Sequence, residues 1–118
     1  MVLKVYAYKN CGTCVKALKW LEGKGIACKI IPIRETPPTV AELKRMQAAM
    51  DGNIKKLFNT SGQDYKALNM KDKLPALTDK EALELLAGNG NLVKRPFVIG
   101  DGIATVGFKE EVWAELLG

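Results

Sequence analysis

Two cysteines spaced by two residues, Cys11-Gly12-Thr13-Cys14, follow directly on an apolar strand-like run and directly precede an amphipathic helical pattern. Two chemistries use such a pair: thiol–disulfide exchange and metal binding. At a helix N-terminus, unpaired N–H groups and aligned peptide dipoles favour negative charge, so a thiol placed there loses its proton more easily and becomes a nucleophile. Cys14, three positions on, lies on the same helix face and can close a disulfide onto Cys11. The pattern therefore casts Cys11 as nucleophile and Cys14 as resolving thiol. Structural zinc wants four ligands, usually cysteine and histidine. The chain has three cysteines and no histidine, so zinc would need Cys28 plus a carboxylate, or a second chain; no metal is expected. Without histidine there is no Cys–His or Ser–His pair either. Activation of Cys11 falls to backbone, lysine or arginine.

Arg95-Pro96 is the second informative spot. One reading is a surface arginine next to a strand-initiating proline. The other is a loop arginine facing the start of the first helix, pairing with the Cys11 thiolate or with an oxyanion substrate. A cis bond before Pro96 would suit such an approach. Lys9 and Asn10 flank the cysteine pair, where they add positive potential or a hydrogen bond to sulfur, or are simply solvated. Asn10, Gly12, Thr13 and Pro96 make up the supporting, substrate-binding group. Cys28 reads as a small buried hydrophobe in a strand, and Trp20 and Trp113 as packing residues on helices.

The elements that must hold these residues can be followed along the chain. Leu3–Tyr8 alternates apolar and polar residues and predicts a strand. Cys14–Lys24 predicts a helix with Cys14, Ala17, Leu18 and Leu21 on one face, stopped by Gly23 and Gly25. Cys28–Ile33, β-branched and apolar, predicts a second strand, and the strand–helix–strand unit implies a parallel pair with a right-handed crossover. After Pro37-Pro38, Thr39…Glu42 and Thr78…Glu81 are capping boxes that each open a helix. Short helices are expected between them, around Ile54–Phe58 and Asp64–Asn69, so residues 39–88 form a helical block with no strand. Pro96–Ile99, a Gly100-Asp101-Gly102 turn and Ile103–Val106 predict a hairpin. Lys109–Leu117 predicts a closing helix with Val112, Trp113 and Leu116 facing inward. The order βαβ, helical block, ββα predicts an α/β thioredoxin-like three-layer fold on a mixed four-stranded sheet. All 118 residues are expected to form one domain, with the helical insertion at about 39–88.

Composition narrows the setting. At 47% hydrophobic and 26% charged the chain has the make-up of a globular protein. No apolar run reaches the ~20 residues that span a bilayer. The start, Met1-Val2-Leu3-Lys4-Val5-Tyr6, lacks a signal peptide's long apolar stretch and cleavage site. A cytoplasmic monomer without membrane or direct nucleic-acid contact is expected, in a compartment where cysteines serve catalysis or sensing more than structural bridging. The net charge of +5 comes from lysines scattered over every predicted helix. It reads mainly as a solvated surface, and otherwise as provision for an anionic substrate or acidic partner.

Several segments together resemble the ArsC/Spx family of thioredoxin-fold proteins: Tyr8-Lys9-Asn10-Cys11-Gly12-Thr13-Cys14, Pro37-Pro38-Thr39, Leu57-Phe58-Asn59-Thr60-Ser61-Gly62 with Tyr65, Leu92-Val93-Lys94-Arg95-Pro96, and Val106-Gly107-Phe108. The resemblance implies a thioredoxin-like core with a helical insertion, the nucleophile at Cys11, and the neighbouring arginine at Arg95 before a cis-proline. It also implies a thiol, disulfide or oxyanion substrate. Cys14 looks like the dithiol members of the family, which include the redox-switched Spx regulators of RNA polymerase; the glutathione-dependent arsenate reductases commonly carry serine there. Three arginines surround the oxyanion in the arsenate reductases. Here only Arg95 matches, with Ser61 and Gly107-Phe108 standing where the others would fall, which argues against classical arsenate reduction. The expected activity is thiol–disulfide oxidoreduction with no bound cofactor and with glutathione or thioredoxin as reductant. The alternative is a redox-sensing regulator that binds an RNA polymerase subunit.

Overall fold

The computed structural model describes residues 3–117. Four strands, β1 (Leu3–Ala7), β2 (Cys28–Pro32), β3 (Phe97–Gly100) and β4 (Ile103–Val106), form one mixed sheet in the order β2-β1-β3-β4. β1 runs parallel to β2, with Val5 opposite Ile30, and antiparallel to β3, with Val5 opposite Val98. β3 and β4 form the expected hairpin, Ile99 facing Ala104.

Strand alternation sorts the core into two layers. Leu3, Val5, Ala7 and Val98 point to one face, where Cys14, Ala17 and Leu21 of α1 (Gly12–Gly23) and Trp113 of α6 (Glu110–Leu117) cover them. Tyr6, Phe97 and Ile99 point to the other, beneath the helical block. That block contains α2 (Val40–Ala49), α3 (Gln63–Ala67), α4 (Met70–Lys73) and α5 (Asp79–Gly88), with single 3₁₀ turns at Ile54–Leu57, Leu74–Ala76 and Gly90–Leu92. Both capping boxes form. The Thr39 and Thr78 hydroxyls accept from the amides of Glu42 and Glu81, and each glutamate reaches back to its threonine's amide.

Glu42 also ties α2 to the sheet. Its carboxylate accepts from Tyr6 Oη at 2.7 Å and from Lys4 Nζ at 3.2 Å. Arg45, one turn on, donates to the carbonyls of Gly100 and Ile103 in the β3–β4 turn. The block is pinned at its far end by Gly90. A Cβ at that position would overlap the Ile33 carbonyl, so the backbone there lies directly on the exit of β2.

Three expectations are corrected. Cys28 is half-buried, and its neighbour Ile30 is 57% exposed, because β2 is an edge strand paired only with β1. An apolar run reads as buried from sequence even where only one face and one edge are covered. In α6, Trp113 is buried but Val112 and Leu116 are exposed, since the short helix docks through Trp113 with Leu117 partly buried beside it. The helical block is not wholly without β structure: Phe58 makes an isolated antiparallel bridge to Val93.

Candidate active site

α1 begins two residues earlier than its apolar periodicity suggests, and this makes Cys11 the N-cap residue. Its backbone is extended (φ −90°, ψ 117°), its amide donates to Tyr8 O at 3.0 Å, and its carbonyl receives Val15 N at 3.0 Å. No side chain caps this helix end and no acidic residue occupies its first turn. The first-turn N–H groups are therefore left to whatever charge sits at Cys11. Cys11 is half-buried at the mouth of an open cleft of about 560 Å³, and Cys14 is sealed beneath it in the core.

The buried thiol behaves differently from an exposed one. Burial is the main reason that the Cys14 pKa is pushed up to about 12. The adjacent Cys11 thiol raises it further, by hydrogen bonding and by charge, while a backbone hydrogen bond at Tyr8 and the positive charge of Arg95 pull the other way. The two side chains lie within hydrogen-bonding contact of each other.

Arg95 lines the same cleft as Cys11, as the loop reading expected, and the Arg95–Pro96 peptide bond is cis. Its guanidinium lies 5.5 Å from the centre of the Tyr8 ring and reaches the Asn91 carbonyl at 3.4 Å. Of the supporting residues, Thr13 lines the cleft. Gly12 is the exposed first residue of α1. Asn10 turns to the Tyr8 hydroxyl, 3.1 Å away. Pro96 is buried, its carbonyl accepting from Gly107 N at 2.9 Å, and does not line the cleft.

Four cleft residues escaped the sequence reading of the site: Tyr8, Asn59, Lys94 and Lys109. Gly107 and Phe108 line it as well, so Ser61 and the Gly107-Phe108 pair share the cleft with Cys11. Arg34, at the end of β2, is a further cation nearby. It donates to Tyr8 Oη at 2.9 Å, with its guanidinium 4.8 Å from the ring centre. Tyr8 therefore lies against two guanidinium groups. The hydrogen bond from Asn10 acts most strongly on its hydroxyl; burial opposes it, and with Arg34 and Lys9 added the pKa is drawn below the ordinary value. A smaller cleft of about 260 Å³ beside it is lined by Arg34 and Arg95 together with Gln63, Asp64 and Asn91. Among the described residues, no three His, Cys, Asp or Glu side chains come together as a metal site.

The arrangement can do one kind of chemistry directly. A half-exposed sulfur at a helix start, facing a cationic cleft and backed by a second sulfur, can attack a disulfide and then be attacked by its neighbour, which expels the substrate thiolate.

Comparison with known proteins agrees with this geometry. A family model described as the ArsC family matches residues 6–116. The crystal structure of an ArsC family related protein from Bacteroides fragilis superposes with a TM-score of 0.92 at 44% identity, covering 98% of both chains. The arsenate reductase from Vibrio cholerae does so with a TM-score of 0.83 at 31% identity, covering 99% of this chain and 98% of that one. The global transcriptional regulator Spx of Enterococcus faecalis is 31% identical over 93% of this chain and 82% of its own length.

Proposed function

The chain belongs to the ArsC family, and from that premise we propose that it is a thiol–disulfide oxidoreductase in which Cys11 is the nucleophile and Cys14 the resolving thiol. One observation carries the reading: Cys11 stands at the N-terminus of α1, at the mouth of a cleft lined by Lys94, Arg95 and Lys109, with Cys14 buried directly behind it.

The Cys11 thiolate attacks one sulfur of a substrate disulfide, forming a mixed disulfide and expelling the other half as a thiolate. Cys14 then loses its proton and attacks Cys11 Sγ, releasing the second half as a thiolate and leaving a Cys11–Cys14 disulfide. Two electrons have passed from the dithiol to the substrate. Glutathione or a thioredoxin-type dithiol returns them. The environment of Cys14 times the second step. While Cys11 is free, burial and the neighbouring sulfur hold the Cys14 proton on. Once Cys11 is locked in a mixed disulfide its contribution is gone; burial still holds the Cys14 proton on, and the Tyr8 backbone hydrogen bond and Arg95 act against it. Classical arsenate reduction fits less well. Bidentate guanidinium contacts dominate oxyanion binding, and Arg95 is the single arginine lining this cleft.

A second reading, a redox-sensing regulator that docks on RNA polymerase, is favoured by the similarity to Spx. Turnover separates the two. With bis(2-hydroxyethyl) disulfide as substrate and glutathione as reductant, the oxidoreductase reading expects multiple turnovers per protein. Cys11→Ser should abolish them, and Cys14→Ser should accumulate one mixed-disulfide adduct on Cys11, visible by mass spectrometry. Turnover retained in Cys11→Ser, or none in the wild type with thioredoxin supplied instead, would remove the enzyme reading. In the latter case a disulfide that forms once and changes capture of polymerase would favour the regulator.

A further inference from the structure

We propose that the substrate is a protein or peptide disulfide whose flanking chain is acidic, held in a lysine-lined groove that continues from the thiol cleft. The proposal rests on the oxidoreductase reading and adds the identity of what Cys11 attacks. The groove, about 530 Å³, is rimmed by Lys55, Lys56, Lys94 and Lys109. Lys94, Val106 and Lys109 line both it and the Cys11 cleft, so the two are continuous. Among the described residues, no aspartate or glutamate lines either one. The single ion pair among the described residues is Lys4–Glu42, so none of these four lysines is paired with a carboxylate of the described chain.

These lysines come from three separate parts of the sequence, and the backbone brings them together. Lys55 and Lys56 sit on the 3₁₀ turn capped by Asn53. The Lys94 amide donates to Leu57 O at 2.8 Å beside the Phe58–Val93 bridge. Lys109 precedes α6, whose Trp113 amide bonds back to its carbonyl. An even spread of surface charge would place acids among them; a groove of one sign raises the local concentration of an anionic partner. Met50, Val106 and half-exposed Val112 add apolar contact area to the groove. Single-stranded nucleic acid would need exposed aromatic faces on which bases stack. The aromatic residues here, Phe58 and Trp113, are 1% and 0% exposed, so the groove suits an acidic peptide better.

The test uses two peptides, each with a central cysteine capped as a mixed disulfide with 2-mercaptoethanol. One has glutamates and the other lysines on both sides. The reduced protein, in excess, supplies both electrons: it releases 2-mercaptoethanol and the free peptide thiol and closes Cys11–Cys14. Single-turnover rates at low ionic strength should favour the acidic peptide at least tenfold. The preference should shrink severalfold in Lys55→Gln/Lys56→Gln and in high salt. Equal rates for the two peptides would overturn the groove and leave the thiol chemistry standing. A preference unchanged in the double variant would do the same. No reduction of either peptide would overturn both readings. Tighter binding of an oligothymidylate than of the acidic peptide, with the same loss in the double variant, would assign the groove to nucleic acid instead.

Discussion

Cys14 and Cys11 are the same residue type three positions apart, yet burial gives them different work. A thiol that titrates near 12 is ionised to about one part in ten thousand at pH 8. Brief treatment of the native protein with iodoacetamide at pH 8 should therefore modify Cys11 and half-exposed Cys28 and spare Cys14, read by peptide mapping. Native labelling of Cys14 at the rate of Cys11 would contradict the assignment of roles. The raised value carries a stability consequence of definite sign. A neutral Cys14 contributes fully below the ordinary thiol pKa of ~8.5, and the contribution drains away as pH rises toward about 12. Cys14→Ala should accordingly lose less stability than the wild type over that alkaline interval.

At the scale of elements, Glu42 is the joint between α2 and the sheet. Burial opposes its ionisation, but hydrogen bonds from Tyr6, the Thr39 amide and Lys4 outweigh that and lower its pKa. The ionised carboxylate thus contributes stability above the unfolded glutamate value of ~4.3, and this is lost as pH falls through the lower folded value. Glu42→Gln keeps a capping side chain but removes the charge. It should cost about 1–2 kcal/mol at pH 7, and the Tm gap to the wild type should close between about pH 5 and pH 3. A gap that stays constant with pH would mean the charge is immaterial. The capping role of Glu42 was legible in the sequence because Thr39 stands three residues before it; its bond to Tyr6 was not, because it joins positions 36 residues apart. The same division runs through the cleft. Cys11, Cys14 and Arg95 announce themselves by type and local context. Lys94 and Lys109 are ordinary surface types, made neighbours only by the Phe58–Val93 bridge and the turn after β4. The exposure of Ile30 was hidden for a related reason, since strand order decides which strand forms the edge.

For the whole molecule, one sheet serves two apolar layers. β1 sends Leu3, Val5 and Ala7 to the α1/α6 side and Tyr6 to the helical block, and β3 divides Phe97 and Ile99 from Val98 in the same way. Neither layer can dissolve without stripping the strands that support the other. Both tryptophans lie on the α1/α6 side, their rings edge-to-face at 5.8 Å, whereas four of the six α-helices among the described residues belong to the opposite layer. Urea unfolding followed by tryptophan fluorescence and by far-UV circular dichroism should therefore give coincident midpoints. A dichroism transition at lower urea would reveal a helical block that melts on its own.

Gly90 links these scales. The chain passes from it through Asn91, whose carbonyl receives the Arg95 guanidinium, to the residue that faces Cys11. With no side chain of its own, position 90 lets that loop rest flush against Ile33. The aim of the cleft's guanidinium is thus inherited from an atom that is missing. Any larger residue at 90 would lift the loop, and the cleft that Cys11 opens onto would lose its bearing.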